Sequence, residues 1–165
     1  MTNPGIFTHL FEVPEASIDG NGHVNNLEYL RWMQEVAIAH SDACGWDLAR
    51  YQEARGTWVI RSHHIDYLRP AFVGEALRLL TWVGGFEAQT SPRHYLVWRE
   101  RDRKVLARAT TQWVFLSTET GRPCQVPDEF RSAFVVVPDE KEVLLALRAS
   151  TIPKIDPDYQ AFSAK

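Results

Sequence analysis

Residues 17–32, SIDGNGHVNNLEYLRW, concentrate side chains that can do acid–base chemistry. Three residues separate a carboxylate, Asp19, from an imidazole, His23, and the amide of Asn21 lies between them. A carboxylate can take a proton from water or attack a carbonyl carbon, while an amide and an imidazole can orient the water or the carboxylate. The pattern indicates an acyl-transfer site with Asp19, Asn21 and His23 as the candidate catalytic residues.

The residues after this cluster predict a helix that would help to form such a site. Apolar side chains recur in steps of three and four through residues 24–44, and Gly45 is typical of a helix end. The start of a helix offers free N–H groups and a partial positive charge, which can stabilise an oxyanion. Because asparagines in a buried helix need partners, Asn25 and Asn26 indicate a polar pocket at this point.

A simpler interpretation needs no chemistry. Asp, Asn and Gly are the residues that build turns and cap helices, so DGNG could be a turn followed by an N-cap. This accounts for the glycines and for Asp19 and Asn21, but poorly for His23, Asn25 and Asn26.

The rest of the chain predicts a sheet behind the helix. A first strand is expected over residues 5–13. Four long strands are expected over residues 57–70, 75–86, 92–100 and 104–117. The turn RDR joins the last two strands into a hairpin. One strand, one helix and four strands predict an α+β fold with an antiparallel sheet against a single apolar helix. Residues 138–150 predict a short helix, followed by a tail.

Composition excludes several classes of function. The 165 residues carry a formal net charge of −3, which does not favour nucleic-acid or membrane partners. Cys44 and Cys124 lack the spacing of a zinc site, and a reduced, cytoplasmic location is the simpler expectation. His63 and His64 are neighbours on a predicted strand and point to opposite faces, so no metal site is expected.

The motif DGNGHVNNLEYLRW resembles the signature of the hotdog-fold acyl thioesterases, both the 4-hydroxybenzoyl-CoA thioesterase type and the plant acyl-carrier-protein thioesterases. The stretches DYLRPAFVGEALRLLTWV and ARATTQWVFLSTETGRPCQVPDEF are also similar to that family, so the resemblance covers roughly residues 5 to 135. It implies a hotdog fold, in which a curved antiparallel sheet wraps one long central helix, over residues 1–137. Residues 138–165 would be a peripheral helix and tail.

The resemblance also implies a site shared between subunits. The family pairs two such units, so a homodimer or a dimer of dimers is expected. Asp19 resembles the catalytic carboxylate, with Asn21 and His23 in supporting places. The substrate-binding residues expected from the motif, from a facing strand and from a charged hairpin are Gly22, Asn25, Asn26, Tyr29, Thr57, Trp58, Val59, Asp66, Arg99 and Arg101. The two arginines belong to a basic cluster that could meet coenzyme A phosphates or could be a solvated turn.

The expected function is hydrolysis of an acyl-CoA or acyl-carrier-protein thioester, with Asp19 as base or nucleophile. No cofactor is expected, since the coenzyme A moiety is part of the substrate. Two alternatives stay open at this point. One is a hotdog enoyl-CoA hydratase, whose D-x-N-x-x-H pattern is one residue longer than the one found here. The other is a non-catalytic module that binds acyl thioesters.

Overall fold

The computed structural model describes residues 5–149, and its core is a five-stranded antiparallel sheet. The strands, in chain order, are β1 (Ile6–Glu12), β2 (Gly56–Tyr67), β3 (Ala76–Val83), β4 (Thr90–Arg99) and β5 (Lys104–Ser117). Their order across the sheet is β1-β3-β4-β5-β2, which makes β1 and β2 the two edge strands. The helices are α1 (Asn26–Ala43), α2 (Leu48–Ala54), α3 (Asp128–Ala133) and α4 (Glu140–Arg148).

The long helix α1 packs on one face of this sheet. It buries Trp32, Met33 and Val36 together with Leu79 and Tyr95 of the strands in one apolar cluster. Asn25 caps the start of α1, because its side chain accepts a hydrogen bond from the Leu27 amide. The helix ends at Ala43, and Gly45 follows with φ of 84°, a backbone conformation that favours glycine.

The opposite face of the sheet is also covered. Side chains alternate along a strand, so Leu80, Trp82 and Leu96 point away from α1. They form a second buried cluster with Val143 and Leu147 of α4. The chain is therefore layered as α1, sheet and α4.

The predicted order of one strand, one long helix and four strands is confirmed. The sequence did not predict α2 and α3, which have seven and six residues. Helices of this length are too short to show a clear apolar period. In addition, α2 buries none of its residues and α3 buries only Phe130. A one-turn 3-10 helix at Glu15–Ser17 was not predicted either.

The helix predicted after residue 138 is present as α4. It lies outside the sheet, as a peripheral element would, but Val143 is fully buried, so α4 is firmly docked. The tail expected after it falls outside the described residues. The division of the chain at residue 137 stays a prediction.

The docking of α4 can be tested with two leucines of the same helix. Leu147 is 7% exposed and Leu145 is 65% exposed. Replacing a buried leucine by alanine removes apolar contacts and leaves a cavity, so Leu147→Ala should lower the free energy of unfolding by roughly 2 kcal/mol or more. Leu145→Ala should change it by less than about 0.5 kcal/mol. Denaturant titration measures both, and equal effects would mean that α4 is not held by this face.

Candidate active site

Asp19 lies in a tight turn that precedes α1. The Asp19 amide donates to the His23 carbonyl over 3.0 Å, and the Gly22 amide donates to the Asp19 carbonyl over 3.1 Å. Gly22 has φ of 82°, which only glycine adopts at no cost. The Asn21 amide donates to Oδ1 of Asp19 over 2.8 Å, so one carboxylate oxygen is fixed by the turn itself.

This turn is anchored to the body of the chain. A β-bridge joins Ile18 to Val24, and the buried Val24 donates its amide to the Ala71 carbonyl over 2.9 Å. The Asn25 amide donates to the Ser17 carbonyl over 2.9 Å. The side chains of the motif are left outside this frame: Asn21 is exposed and Asp19 and His23 are half-buried. The fixed backbone thus presents a carboxylate, an amide and an imidazole at the surface.

The expected position of the motif relative to α1 needs a correction. The apolar pattern predicted a helix from residue 24, directly after the cluster, but α1 begins seven residues after Asp19, at Asn26. The N-cap is Asn25, whose Oδ1 accepts from the Leu27 amide over 2.9 Å. The turn of the simpler interpretation is therefore confirmed, and the N-cap that it expected is Asn25. Asn26 is exposed, and within residues 5–149 its amide has no hydrogen-bond acceptor.

Tyr29 does not reach the surface. It is 3% exposed, and its ring makes edge contacts with the rings of Trp32 and Tyr67. Burial raises the pKa of Tyr29 to about 12. Its predicted contact with substrate is thus corrected: this side chain is part of the core beneath the motif.

A cavity of about 330 Å³ lies beside the carboxyl-terminal half of α1. Its walls are mostly apolar and come from α1, from α2 and from the start of β2, as the residues Ile38, Trp46, Leu48, Tyr51, Thr57 and Trp58 show. Two of the predicted substrate-binding residues, Thr57 and Trp58, therefore line a cavity, and Val59 next to them is 38% exposed.

Arg93 also lines this cavity, although it is only 7% exposed. Its Nη1 donates to Nδ1 of His40 over 2.9 Å and to Oγ1 of Thr81 over 3.2 Å. Burial, and then the charge of Arg93, lower the pKa of His40 from 6.5 to about 2, so the imidazole is neutral. The basic cluster predicted at the charged hairpin comprises Arg93, Arg99, Arg101, Arg103 and Lys104. The inward position of Arg93 could have been found from alternation with the apolar Tyr95 and Val97.

Asp66 lies far from this arrangement, on the sheet face that α4 covers. Its carboxylate is 3.2 Å from Nε2 of His64, and both residues line a second cavity together with Glu140 of α4. His63 points to the α1 side, where its Nδ1 is 2.7 Å from Oγ1 of Thr111. The opposite directions predicted for the two histidines are confirmed. Within one chain, Asp66 is not brought to Asp19.

The basic cluster predicted at the β4–β5 hairpin is divided in the fold. Arg99 is buried and pairs with Asp102 over 2.8 Å and with Glu75 over 3.3 Å. The predicted contact of Arg99 with coenzyme A phosphates is therefore wrong, because its donors hold the hairpin to the Glu75 loop. Arg101 remains largely exposed, with Nε 3.1 Å from Glu75.

The described residues offer neither a metal site nor a membrane-spanning helix. No group of three or more His, Cys, Asp or Glu side chains within residues 5–149 could hold a metal ion. No helix in that range is long and apolar enough to cross a membrane.

Comparisons with known proteins give a family match and related sequences. A family model described as the thioesterase-like superfamily matches residues 13–134. A chloroplast dodecanoyl-[acyl-carrier-protein] hydrolase from Umbellularia californica is 24% identical, over 88% of this chain and 42% of that protein. The chain thus spans less than half the length of this relative.

Solved structures show the same fold. A 1,4-dihydroxy-2-naphthoyl-CoA thioesterase from Synechocystis superposes with a TM-score of 0.71 at 21% identity, covering 78% of this chain and 94% of that one. An acyl-ACP thioesterase from Bacteroides thetaiotaomicron superposes with a TM-score of 0.70 at 22% identity, covering 76% and 52%. The predicted hotdog fold is confirmed.

The buried His40 predicts how stability depends on pH. Below pH 6.5 the unfolded chain binds a proton at this residue, while the folded chain does so only near pH 2. Its contribution is therefore present above pH 6.5 and is lost as the pH falls, by up to about 1.4 kcal/mol per pH unit. His40→Asn should flatten the fall in unfolding free energy between pH 6 and pH 4, although His9 adds a similar effect down to its pKa of about 4.

The control for this measurement is His64→Asn, because the His64 side chain is 79% exposed. It should leave the slope unchanged. Parallel curves for the wild type and His40→Asn would show that His40 is not held neutral by the fold.

Proposed function

Since the chain belongs to the thioesterase-like superfamily, we propose that it hydrolyses an acyl thioester of coenzyme A or of an acyl carrier protein. The names of similar proteins support both kinds of carrier, because one is an acyl-carrier-protein hydrolase and another a CoA thioesterase. The proposed base is a side chain, so the reaction needs no metal and no cofactor beyond the carrier of the substrate.

One observation carries the proposal: the turn of residues 19–23 holds the Asp19 carboxylate by a single oxygen. Oδ1 accepts a hydrogen bond from the backbone N–H of Asn21. Within residues 5–149, Oδ2 has no hydrogen-bond partner. A carboxylate that is fixed at one oxygen and free at the other is suited to take a proton from water or to attack a carbonyl carbon. His23 and Asn21 are near enough in sequence to position that water.

The chemistry requires a carboxylate and a donor for the oxyanion. Asp19 takes a proton from water while the water oxygen bonds to the thioester carbon, or its carboxylate attacks that carbon, the carbon–sulfur bond breaks to give a mixed anhydride and a thiolate, and water then hydrolyses the anhydride. A backbone N–H stabilises the oxyanion, and the unpaired amide of Asn26 is one donor of this kind. In the first route the carbon–sulfur bond then breaks and the thiolate takes the proton held by Asp19. In the second route the two protons of the water go to the thiolate and to the acid, so that both routes yield the free acid and the thiol.

One chain alone cannot bring Asp19 to the cavity. Asp19 precedes the start of α1, whereas the part of α1 that lines the cavity runs from Gln34 to Asp42. The 18 residues of α1 span roughly 27 Å at 1.5 Å per residue. The carboxylate and the acyl site must therefore come from different chains.

The edge strand β2 can join them. Its end contacts the start of α1, since Oη of Tyr67 donates to the Asn26 carbonyl over 3.1 Å. Its beginning, Thr57 and Trp58, lines the cavity. If two copies pair their β2 edges antiparallel about a two-fold axis, the end of one strand lies opposite the beginning of the other. The Asp19 turn of one subunit then faces the cavity of its partner.

The proposed assembly is therefore a homodimer, or a dimer of two such dimers. The pairing surface carries exposed apolar side chains, among them Val59 at 38% and Ile38 at 54%. Backbone amides of residues 57–59 would then lie near the thioester of the facing site. We place the protein in the cytoplasm, where both cysteines stay outside a disulfide, and expect no nucleic-acid or membrane partner.

A thiol-release assay separates this function from its two alternatives. A hydratase would add water to an enoyl-CoA without freeing coenzyme A, and a binding module would leave the thioester intact. Only a thioesterase frees the thiol, so this assay across acyl-CoAs and acyl-ACPs is the first experiment.

The role of Asp19 predicts the effect of its replacement. Asp19→Asn keeps the shape and the bond from the Asn21 amide but removes the base, so kcat should fall by at least about 100-fold. Melting temperature and KM should change little. The matched variant Asp66→Asn should keep most of the activity, because Asp66 points to the α4 face. If Asp19→Asn melts early and keeps its specific activity, Asp19 only shapes the turn.

Mixing two inactive variants tests the shared site. Asp19→Asn lacks the carboxylate, and Ile38→Trp fills the cavity from α1. In a mixed dimer the intact Asp19 of one subunit meets the intact cavity of the other. Co-expression in equal amounts should restore about a quarter of wild-type activity, since half of the dimers are mixed and each has one good site. No restored activity, with mixed dimers shown by mass spectrometry, would place both parts of the site in one chain.

A further inference from the structure

The cavity contains a buried cation among apolar walls. Arg93, which is 7% exposed, lines it together with the apolar side chains of Ile38, Trp46 and Leu48. Arginine stays charged in proteins, and a buried charge is costly unless something compensates for it.

Both hydrogen-bond partners of Arg93 are neutral acceptors. The Thr81 hydroxyl donates to the His94 carbonyl over 3.0 Å, so its oxygen accepts from Arg93. A guanidinium can only donate, so Nδ1 of His40 accepts as well, and the ring proton lies on Nε2. These bonds orient the guanidinium without neutralising it.

Within residues 5–149, no carboxylate pairs with Arg93. Asp42 also lines the cavity, but it is exposed and makes no ion pair with the arginine. The ring of Phe134 is 6.0 Å from Cζ, at the limit of a cation–π contact. Both described hydrogen bonds use Nη1, which leaves the N–H groups of Nε and Nη2 for a ligand.

We propose that the acyl group carried by the substrate ends in a carboxylate, which binds Arg93. The substrate class is the monothioester of a dicarboxylic acid, with an aliphatic chain between the two carbonyl carbons. This inference rests on the proposed function, since it names the substrate of that same site. A carboxylate would accept two N–H bonds from the guanidinium and supply the missing charge.

The size and walls of the cavity favour this end of the substrate. A volume of about 330 Å³ lies at the low end of the range for ligand sites. A methylene chain with a terminal carboxylate matches apolar walls that lead to a single cation. A nucleotide with several phosphates needs more space and more than one donor group, so coenzyme A is expected outside the cavity.

The first test uses the unmodified protein and two thioesters of equal chain length. Adipyl-CoA and hexanoyl-CoA both carry six acyl carbons and differ only in the terminal carboxylate. A charge-assisted pair should raise kcat/KM for adipyl-CoA by roughly 10-fold or more over hexanoyl-CoA. Equal rates, or a preference for hexanoyl-CoA, would overturn the proposal without any variant.

Variants then assign the preference to Arg93. Arg93→Met should abolish the selectivity for adipyl-CoA, mainly by raising KM for that substrate, so that the ratio of kcat/KM between the two thioesters falls to about one. The matched control is Arg122→Met, which removes an exposed arginine outside the cavity lining and should keep the selectivity. If Arg93→Met instead lowers the rates with both substrates equally, Arg93 supports the fold or the carrier and the proposal fails. If Arg93→Met does not fold, Arg93→Lys and Arg93→Gln replace it. Arg93→Lys keeps the charge and should retain part of the selectivity for adipyl-CoA, whereas Arg93→Gln should lose it. Unchanged selectivity in both folded variants would show that Arg93 does not bind the carboxylate.

A binding measurement keeps this inference separate from the proposed reaction. Monomethyl adipate and methyl hexanoate carry the same chain, and only the first has a carboxylate. Calorimetry or NMR should detect monomethyl adipate with the wild type and not with Arg93→Met, and methyl hexanoate should not distinguish the two proteins. Such binding with no thiol release from any thioester would retain the anion site and overturn hydrolysis. Thiol release with no Arg93-dependent binding would support hydrolysis and overturn the carboxylate site at Arg93.

Discussion

The length of α1 is the constraint on which the rest of the arrangement depends. From Asn26, which follows the Asp19 turn, α1 rises roughly 12 Å to Gln34 and roughly 24 Å to Asp42, and the residues of α1 that line the cavity lie within this range. Neither end can move toward the other, because the middle of α1 is buried against β1 and β3 with Val36 fully buried. The proposed reaction, which needs both a carboxylate and an acyl cavity, therefore uses two copies of the chain.

The proposed dimer pairs the β2 strands of two subunits. Strand β2 is an edge strand of 12 residues that is paired on one side by β5. A hydrogen bond from Tyr67 links its end to the start of α1, and Thr57 at its beginning lines the cavity. An antiparallel partner of the same sequence is complementary to such an edge, because pairing satisfies the free backbone groups and aligns unlike ends. The same geometry explains why both halves of the site lie near this edge.

The sequence predicted the parts of the fold that long patterns determine. The five strands and α1 have clear periodicity, and they lie where the pattern placed them. The helices α2 and α3 were missed because each is about two turns or less and depends on packing around Phe130 and Trp46. The chemistry of the DGNGHVNN motif was visible from residue types, but its geometry was not. Which asparagine caps the helix is decided by the turn closed between Asp19 and His23, a contact that local propensity does not encode.

Two arginines of β4 show why charge in a sequence does not reveal its role. Arg93 and Arg99 are six residues apart, so they share the α1-facing side of one strand, and both are 7% exposed. Arg99 is next to the hairpin, where Asp102 and Glu75 reach it, and its charge is neutralised within the chain. Arg93 is at the other end, where the neighbouring groups on α1 and β3 are the neutral His40 and Thr81. Removing one partner from a buried pair is costly, so a buried cation with only neutral partners persists where a ligand supplies the opposite charge. The difference between the two arginines lies in their surroundings, and it separates a residue that holds a turn from one that is available to a substrate.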